Sequence, residues 1–521
     1  MQKIMHIAKS NSLHLYDKMK KLLLILFLLF LPANNVWKEE TIKTLQIPQI
    51  EWNITYGGNG TDFFYCGLQD KDGNYIAGGN RQIGETNYSW LMKVDENGKV
   101  IWNAYEMPNH SYMAFVSYVE EVDDAYIACG SYSHMVSHVR YHRFLWKVSR
   151  EGKTEWIKEY NEPKEGHFYM VHATNDGFIL CGYVYINVDK GDTATLLMKT
   201  DKNGNVEWKK LYNYGSGSEE AYCVGITNDG YILGGWAEVS ENNWDYWIIK
   251  TDKDGNEIWN RTYGGKYLDI CHMRNCFRTS DGGYIFGGHT ASYGALPGYD
   301  IWIIKLDKNG NMEWNETYGY KMSAELGWCL NKARDGYVMA GSKNFEGYGR
   351  KGDAWIVKIN ENGNEIWELS FGGKKEDEAA YICQTKDNGY IIIGRTQSFG
   401  GSGWQGWMIK LSADGGMPQT KACFIQPRPN HIYLFNFGIP FPLFGKVIIV
   451  GDMNFMAIAS CENSSITRVE YFVDNKLVAT LTEKPYLYEW KGEKGNHVVK
   501  VRAYNEFGGF GEEKVNVIKL Y

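Results

Sequence analysis

Apolar and polar residues alternate along this chain in short runs that recur with a steady period. The clearest copy reads Gly283-Tyr284-Ile285-Phe286-Gly287-Gly288, then Trp302-Ile303-Ile304-Lys305-Leu306-Asp307, a turn at Asn309-Gly310-Asn311, and finally Trp314 and Tyr318. The closing Trp returns at Trp52, Trp102, Trp156, Trp208, Trp259, Trp314 and Trp367, a spacing of 50 to 55 residues. Period-two runs broken by Gly- and Asx-rich turns predict strands joined by hairpins. The fourth unit shows the plan. Tyr222-Cys223-Val224-Gly225-Ile226-Thr227 is a first strand and Asn228-Asp229-Gly230 a turn. Tyr231-Ile232-Leu233-Gly234-Gly235 is a second strand, Trp247-Ile248-Ile249-Lys250 a third and Ile258-Trp259-Asn260-Arg261-Thr262-Tyr263 a fourth.

A period of this size with four strands per unit predicts a β-propeller. The last unit ends at Trp407-Met408-Ile409-Lys410-Leu411 without a fourth strand, and a spare copy stands at Ile50-Glu51-Trp52-Asn53-Ile54-Thr55-Tyr56. The expected fold is therefore all-β, with seven four-stranded blades closed by the N-terminal strand. The connections between second and third strands differ in every unit: 81–88, 131–143, 184–194, 236–246, 290–300, 343–353 and 396–406. Variable loops on a rigid frame are the expected binding face.

The repeat resembles kelch-type and quinoprotein-type propellers. It is closer to a group of secreted prokaryotic repeat proteins whose unit reads Asp-Gly-Gly-Tyr-Ile, Trp-Ile-Ile-Lys, Asn-Gly-Asn, Trp, Tyr-Gly-Gly. That resemblance covers about residues 46–416 and implies architecture without an activity. After Gly415-Gly416-Met417-Pro418 the period stops. Val469-Glu470-Tyr471-Phe472-Val473-Asp474, Pro485-Tyr486, Trp490 and Val499-Lys500-Val501-Arg502-Ala503-Tyr504 resemble an immunoglobulin-like module of secreted bacterial and archaeal proteins, expected over 423–521. Such modules often carry Asp-x-x-Gly-Asn after the final Ala-Tyr; here Asn505-Glu506-Phe507-Gly508-Gly509 stands instead. A kelch-like ring followed by such a module also resembles galactose-oxidase-type copper enzymes. No motif selects the two Tyr and two His that copper would need.

Composition narrows the class of partner. Nineteen Trp and 37 Tyr suit face-to-face sheets, and 11 Pro against 58 Gly suits many tight turns. A net charge of −7 without a Lys/Arg-rich patch argues against nucleic acid. Lys18, Lys20 and Lys21 precede an apolar run over 22–31, so residues 1–35 read as a secretory leader. The mature chain is then expected to be secreted or at the cell surface, without a transmembrane span. Seven Asn-x-Ser/Thr sequons, at Asn53, Asn59, Asn87, Asn109, Asn260, Asn315 and Asn463, fit a glycoprotein. Asn53, Asn260 and Asn315 follow the repeat Trp, so the repeat itself also accounts for them. The ten Cys fall mostly at repeat-equivalent sites expected to be too far apart to bridge, and read as small buried hydrophobes; Cys423 with Cys461, or Cys271 with Cys276, are the candidate pairs.

Two sets of residues carry candidate chemistry. Lys93, Lys147, Lys199, Lys250, Lys305, Lys358 and Lys410 share one repeat position and are read chiefly as structural ion pairs. Acids 10 to 12 residues after the Trp (Asp62, Glu220, Asp269, Glu325 and Glu378) form an expected collar at the channel mouth, with His110 and His167 where two units depart from it. His134, His138 and His142 lie in a predicted loop, which gives their spacing of four little metal-binding meaning. The Asp-Lys-Asn-Gly-Asn turns are shorter than a calcium loop, so hairpins are expected; no cofactor is expected, with calcium as the alternative. Nucleophile-elbow, zincin, phosphate-loop and dinucleotide motifs are absent. The reading is a non-catalytic binding or adhesion protein for a glycan or an extracellular protein. Tyr88, Tyr132, Trp236, Trp244, Tyr293, Tyr348, Phe399 and Trp404 are its candidate stacking platforms. The alternatives are an extracellular enzyme acting on polysaccharide or a small alcohol at the channel mouth, and a structural surface-layer component.

Overall fold

The computed structural model describes residues 47–520, except 109–110, 135–140, 163, 188–189, 216, 275, 295–297, 344–351, 415–419, 435, 442–444, 462–464 and 506–509. The described residues are all-β and contain no α-helix. The leader expected over 1–35 lies outside them, as do His110, His138 and Tyr348.

The repeat region folds as antiparallel four-stranded units in a propeller-like series. Glu219–Ile226, Gly230–Ser240, Asn243–Asp252 and Glu257–Tyr263 pair in that order. Ile50–Tyr56 pairs antiparallel with Gln405–Leu411, and Trp407 donates its indole N–H to Asn53 at 2.6 Å. The first strands meet side by side: Phe63–Gln69 lies against both Met113–Val122 and Asp377–Gln384.

The repeated residues explain the cohesion between units. Each closing Tyr donates its hydroxyl to the turn-Gly carbonyl of the next unit: Tyr56 to Gly98, Tyr160 to Gly204, Tyr212 to Gly255, and Tyr318 to Gly363 at 2.5 Å. These turns need Gly for two reasons. Gly255 has φ +74°, and a Cβ there would lie 2.7 Å from the Trp208 ring. Within a unit, Trp90, Trp247 and Trp302 donate to Asn103, Asn260 and Asn315. The Asn of three repeat sequons thus accepts the hydrogen bond of a buried Trp.

The second-to-third connections depart from the loop expectation. In three units the ladder continues outward as a long hairpin: Tyr75–Ile83 with Thr86–Val94, Gly177–Asn187 with Asp192–Asp201, and Gly230–Ser240 with Asn243–Asp252. Residues able to adopt positive φ at the tips, Gly84, Gly191 and Asn242, let the strands run on to the turn.

None of the ten Cys is disulfide-bonded, so neither candidate pair is formed. Cys423 pairs in register with Ile458 and Thr420 with Cys461, which sets the first candidate pair three residues out of register. The expectation that equivalent Cys stay apart fails at one place: Cys223 reaches both Cys271 and Cys276. The cause is the fifth unit, whose first strand is broken into Asp269–Ile270 and Phe277–Arg278.

The C-terminal part is an immunoglobulin-like pair of sheets. Thr420–Gln426, Met453–Cys461 and Tyr486–Trp490 form one, and the other includes Ile466–Val473, Gly495–Asn505 and Phe510–Lys519. Phe455, Tyr471 and Trp490 centre its core.

Candidate functional site

Six of the seven repeat lysines are buried in ion pairs, away from the expected collar, and the seventh, Lys147, is half-buried beside Glu155. Lys93 meets Asp70 at 2.9 Å, Lys250 meets Asp229 at 2.9 Å, and Lys358 meets Asp414 at 2.5 Å. The turn aspartates are also occupied. Asp252 accepts the backbone N–H groups of Asp254 and Asn256, and Asp307 those of Asn309 and Asn311.

The expected acidic collar divides into two sets. Asp62, Asp269 and Glu325 are buried caps of the Tyr-Gly loops, accepting from the N–H of Gly58, Gly265 and Tyr320 respectively. Register places Glu219 and Asp377 in that role, accepting from Gly215 and Gly373. Glu220 and Glu378 stand one residue later, so their side chains leave by the opposite face of the strand. Asp62, Asp269 and Glu325 are therefore loop caps in place of a ligand-facing ring, because the backbone N–H groups of each Tyr-Gly turn consume their oxygens. Some carboxylates crowd: burial and Asp269 hold Asp245 at about 6.

The acids of the second set are also partnered. Glu378 pairs with Arg395 at 2.7 Å, and the Arg395 guanidinium lies over Phe63 and Trp404. Glu220 accepts from the Tyr169 hydroxyl at 2.9 Å, and Tyr169 stacks on Tyr222. Burial raises Glu220 to about 7, against the hydrogen bonds of Tyr169 and Tyr222. Trp236 extends this network by a hydrogen bond to Tyr222 and meets Trp244 edge-on at 5.9 Å.

Beside Glu220 lies a pocket of about 220 Å³. Tyr65, Phe115, Tyr141, Tyr169 and Tyr183 wall it, and His167 and Arg274 supply its polar edge. Each wall residue rests on another: Phe115 meets Tyr65 at 6.0 Å and Tyr141 at 5.6 Å, and Tyr169 meets Tyr183 at 5.9 Å. His167 stacks on Phe115 at 5.3 Å and lies 3.1 Å from the Ser117 hydroxyl. Burial, then Arg274 and Arg143, hold His167 down to about 3, so the ring is neutral at physiological pH. Arg274 leaves the broken fifth unit, donates to the backbone carbonyl of Tyr65 209 residues away, and stacks on the Tyr65 ring. Further along, His272 meets His289 and Trp328, and burial lowers His272 to about 4.

The structure brings His167, Glu220 and Trp236 to this region and Trp404 to the Arg395 pair. It leaves other candidates elsewhere. Tyr132 is 0% exposed, with its hydroxyl on Glu159 at 2.6 Å and its ring on His142. It is packed in the sheet and offers no face to a ligand, which corrects the loop assignment. Tyr293 and Phe399 are exposed but lie against Trp302 and Trp407. Tyr88 and Trp244 are half-buried in hairpin strands. Sequence reasoning missed Tyr65, Phe115, Tyr141, Tyr169, Tyr183 and Arg274. Aligning first strands on their capping acid would have grouped Tyr65, Tyr222, His272 and Trp328 at one position; Tyr169 stands there too, but behind Gly166 in place of an acid. No sequence signal joins Arg274 to Tyr65.

Comparison with known proteins adds one module and three distant likenesses. The model of the bacterial Ig domain matches residues 442–501. No curated protein matches the chain. Fibronectin(III)-like modules of Clostridium thermocellum CbhA match at 24% identity and TM-score 0.15, over 19% of this chain and 99% of that one. The extracellular domain of the hybrid two-component system BT4673 from B. thetaiotaomicron matches at 10% identity and TM-score 0.39, over 91% of this chain and 60% of that one. A Penicillium chrysogenum alpha-L-arabinanase, complexed with arabinobiose, matches at 8% identity and TM-score 0.37, over 70% and 98%. These likenesses are too distant to carry an activity across. No helix among the described residues is long and apolar enough to cross a membrane.

Proposed function

We propose that this chain is an exported or cell-surface, non-catalytic binding protein that holds a glycan in the aromatic pocket beside Glu220. Residues 46–416 are a seven-bladed propeller closed by the strand Ile50–Tyr56, and residues 423–521 are an immunoglobulin-like spacer or adhesive unit. The pairing of Ile50–Tyr56 with Gln405–Leu411 supports closure, and the contacts of Phe63–Gln69 on both sides support a ring. The bacterial Ig match and the leader-like N-terminus support export.

One observation carries the ligand class: five aromatic side chains converge on a small pocket that also holds His167 and Arg274. Aromatic faces bind the apolar faces of sugar rings, and the hydroxyl and guanidinium groups at the rim orient hydroxyls. A glycan array tests this directly. The intact chain should retain a defined sugar class, and Phe115→Ala should weaken that binding by about tenfold or more. A blank array, with a pull-down that retains no protein partner, would remove the binding reading.

A second reading, an extracellular enzyme acting on polysaccharide, is favoured by Glu220. Its value of about 7, set mainly by burial, suits general acid–base work. Release of reducing ends from a polysaccharide by the wild type, lost in Glu220→Gln while binding persists, would establish it. The absence of turnover with retained binding supports the non-catalytic reading.

A further inference from the structure

The aromatic pocket contains a cation, Arg274, that has no carboxylate in contact with it among the described residues. Arg274 is half-buried, and among the described residues its guanidinium donates to the Tyr65 carbonyl and lies over the face of the Tyr65 ring, both neutral. Elsewhere in the repeat region, buried cations stand beside carboxylates: Lys93 with Asp70, Lys358 with Asp414, and Arg395 with Glu378. Behind the same pocket, Arg143 is fully buried against the Phe168 ring, and among the described residues it donates to the carbonyls of Tyr183, Glu162 and Lys164. Two guanidinium groups without carboxylate partners among the described residues thus flank a wall of aromatics. A buried charge without a counter-ion is costly, and a ligand that supplies one recovers that cost on binding.

The carboxylates nearby do not fill this role. Glu220 is held by Tyr169 and Glu378 by Arg395. At about 220 Å³ the pocket is smaller than the roughly 300–1,000 Å³ of a drug-sized site, which suits a single ring. Planar guanidinium and planar carboxylate match in a two-point contact, and the Tyr65 ring beneath Arg274 holds the fork in place.

We propose that the pocket selects a glycan residue bearing a carboxylate, a uronic acid, with Arg274 as its counter-ion. This rests on the glycan reading above and narrows it to one charge class. Phe115 and Tyr141 take the ring, and Arg274 takes the carboxylate at its edge.

The test titrates the full chain with trimers of galacturonic acid and mannuronic acid, and with the neutral hexose trimers of the same linkages. A uronate trimer should bind about ten- to a hundredfold more tightly than its neutral counterpart, and this preference should shrink as salt is raised. Arg274→Gln should bring uronate affinity down to that of the neutral trimer, abolishing the preference and its salt dependence, and Arg274→Lys should restore part of it. An unchanged cooperative thermal melt shows that the Gln variant is folded. Equal affinity for uronate and neutral trimers, unchanged in Arg274→Gln, would overturn the uronate inference and leave the glycan reading standing. Failure of every trimer to bind would remove both.

Discussion

Tyr318 illustrates how single repeated residues hold neighbouring units together. Its hydroxyl donates to Gly363 of the next unit at 2.5 Å while the ring stays buried. Tyr318→Phe keeps the ring and deletes one hydrogen bond, so chemical denaturation should show a loss of about 1 kcal/mol. Gly363→Ala should cost more, about 1–3 kcal/mol, because the turn has φ +83° and a Cβ would press on Trp314 at 3.0 Å. The channel side makes a pH prediction. Glu220 is raised from 4.5 to about 7, so its contribution is complete below 4.5 and is lost as pH rises through 7. His167 and His272 are lowered from 6.5 to about 3 and about 4; their contributions are complete above 6.5 and are lost as pH falls toward those values. Melting curves of Glu220→Gln should therefore lose the decline between pH 5 and 7.5, and those of His272→Gln should lose part of the acid-side decline.

At the scale of elements, the capping acids fix where one unit ends and the next begins. Asp377 is fully buried and accepts from Gly373 N–H at 2.8 Å, from the Ser398 hydroxyl at 2.6 Å, and from the Thr396 hydroxyl. Asp377→Ala would strand these donors and should cost about 2–4 kcal/mol in a urea titration. Asp377→Asn should cost less, since its remaining oxygen still accepts. These elements also mark what was legible in the sequence. The Trp, turn Gly and repeat Lys recur because each unit meets its neighbour in the same way, so periodicity exposes them. The two acids of Glu219-Glu220 face opposite sides of one strand, and counting from Trp208 cannot tell which of them caps. A bulge between Phe64 and Cys66 frees Tyr65 from the alternation, and equivalent bulges recur in the first strands of other units. Arg274 was hidden for another reason: it lies where the fifth unit breaks the repeat, and its partner is 209 residues away.

For the whole molecule, the account requires Ile50–Tyr56 to complete the last unit. That strand covers Gln405–Leu411, brings Asn53 to the Trp407 indole, and sets Glu51 3.1 Å from Lys410. Removing residues 46–56 would expose a paired edge and a buried Lys, so the shortened chain should lose its cooperative melt and aggregate. The proposed ring also accounts for a pocket where first strands converge. Residues from separate units, Tyr65, Phe115, His167 and Arg274, line one space, as first strands facing the common channel of the proposed ring would place them. A crystal structure of the chain with a bound oligosaccharide tests that claim most directly. Electron density for one sugar ring against Phe115 and Tyr141, with its polar edge toward Arg274, is the predicted result. Density for the sugar on the Trp236–Trp244 pair, or on the C-terminal module, with the channel pocket unoccupied, would contradict the account.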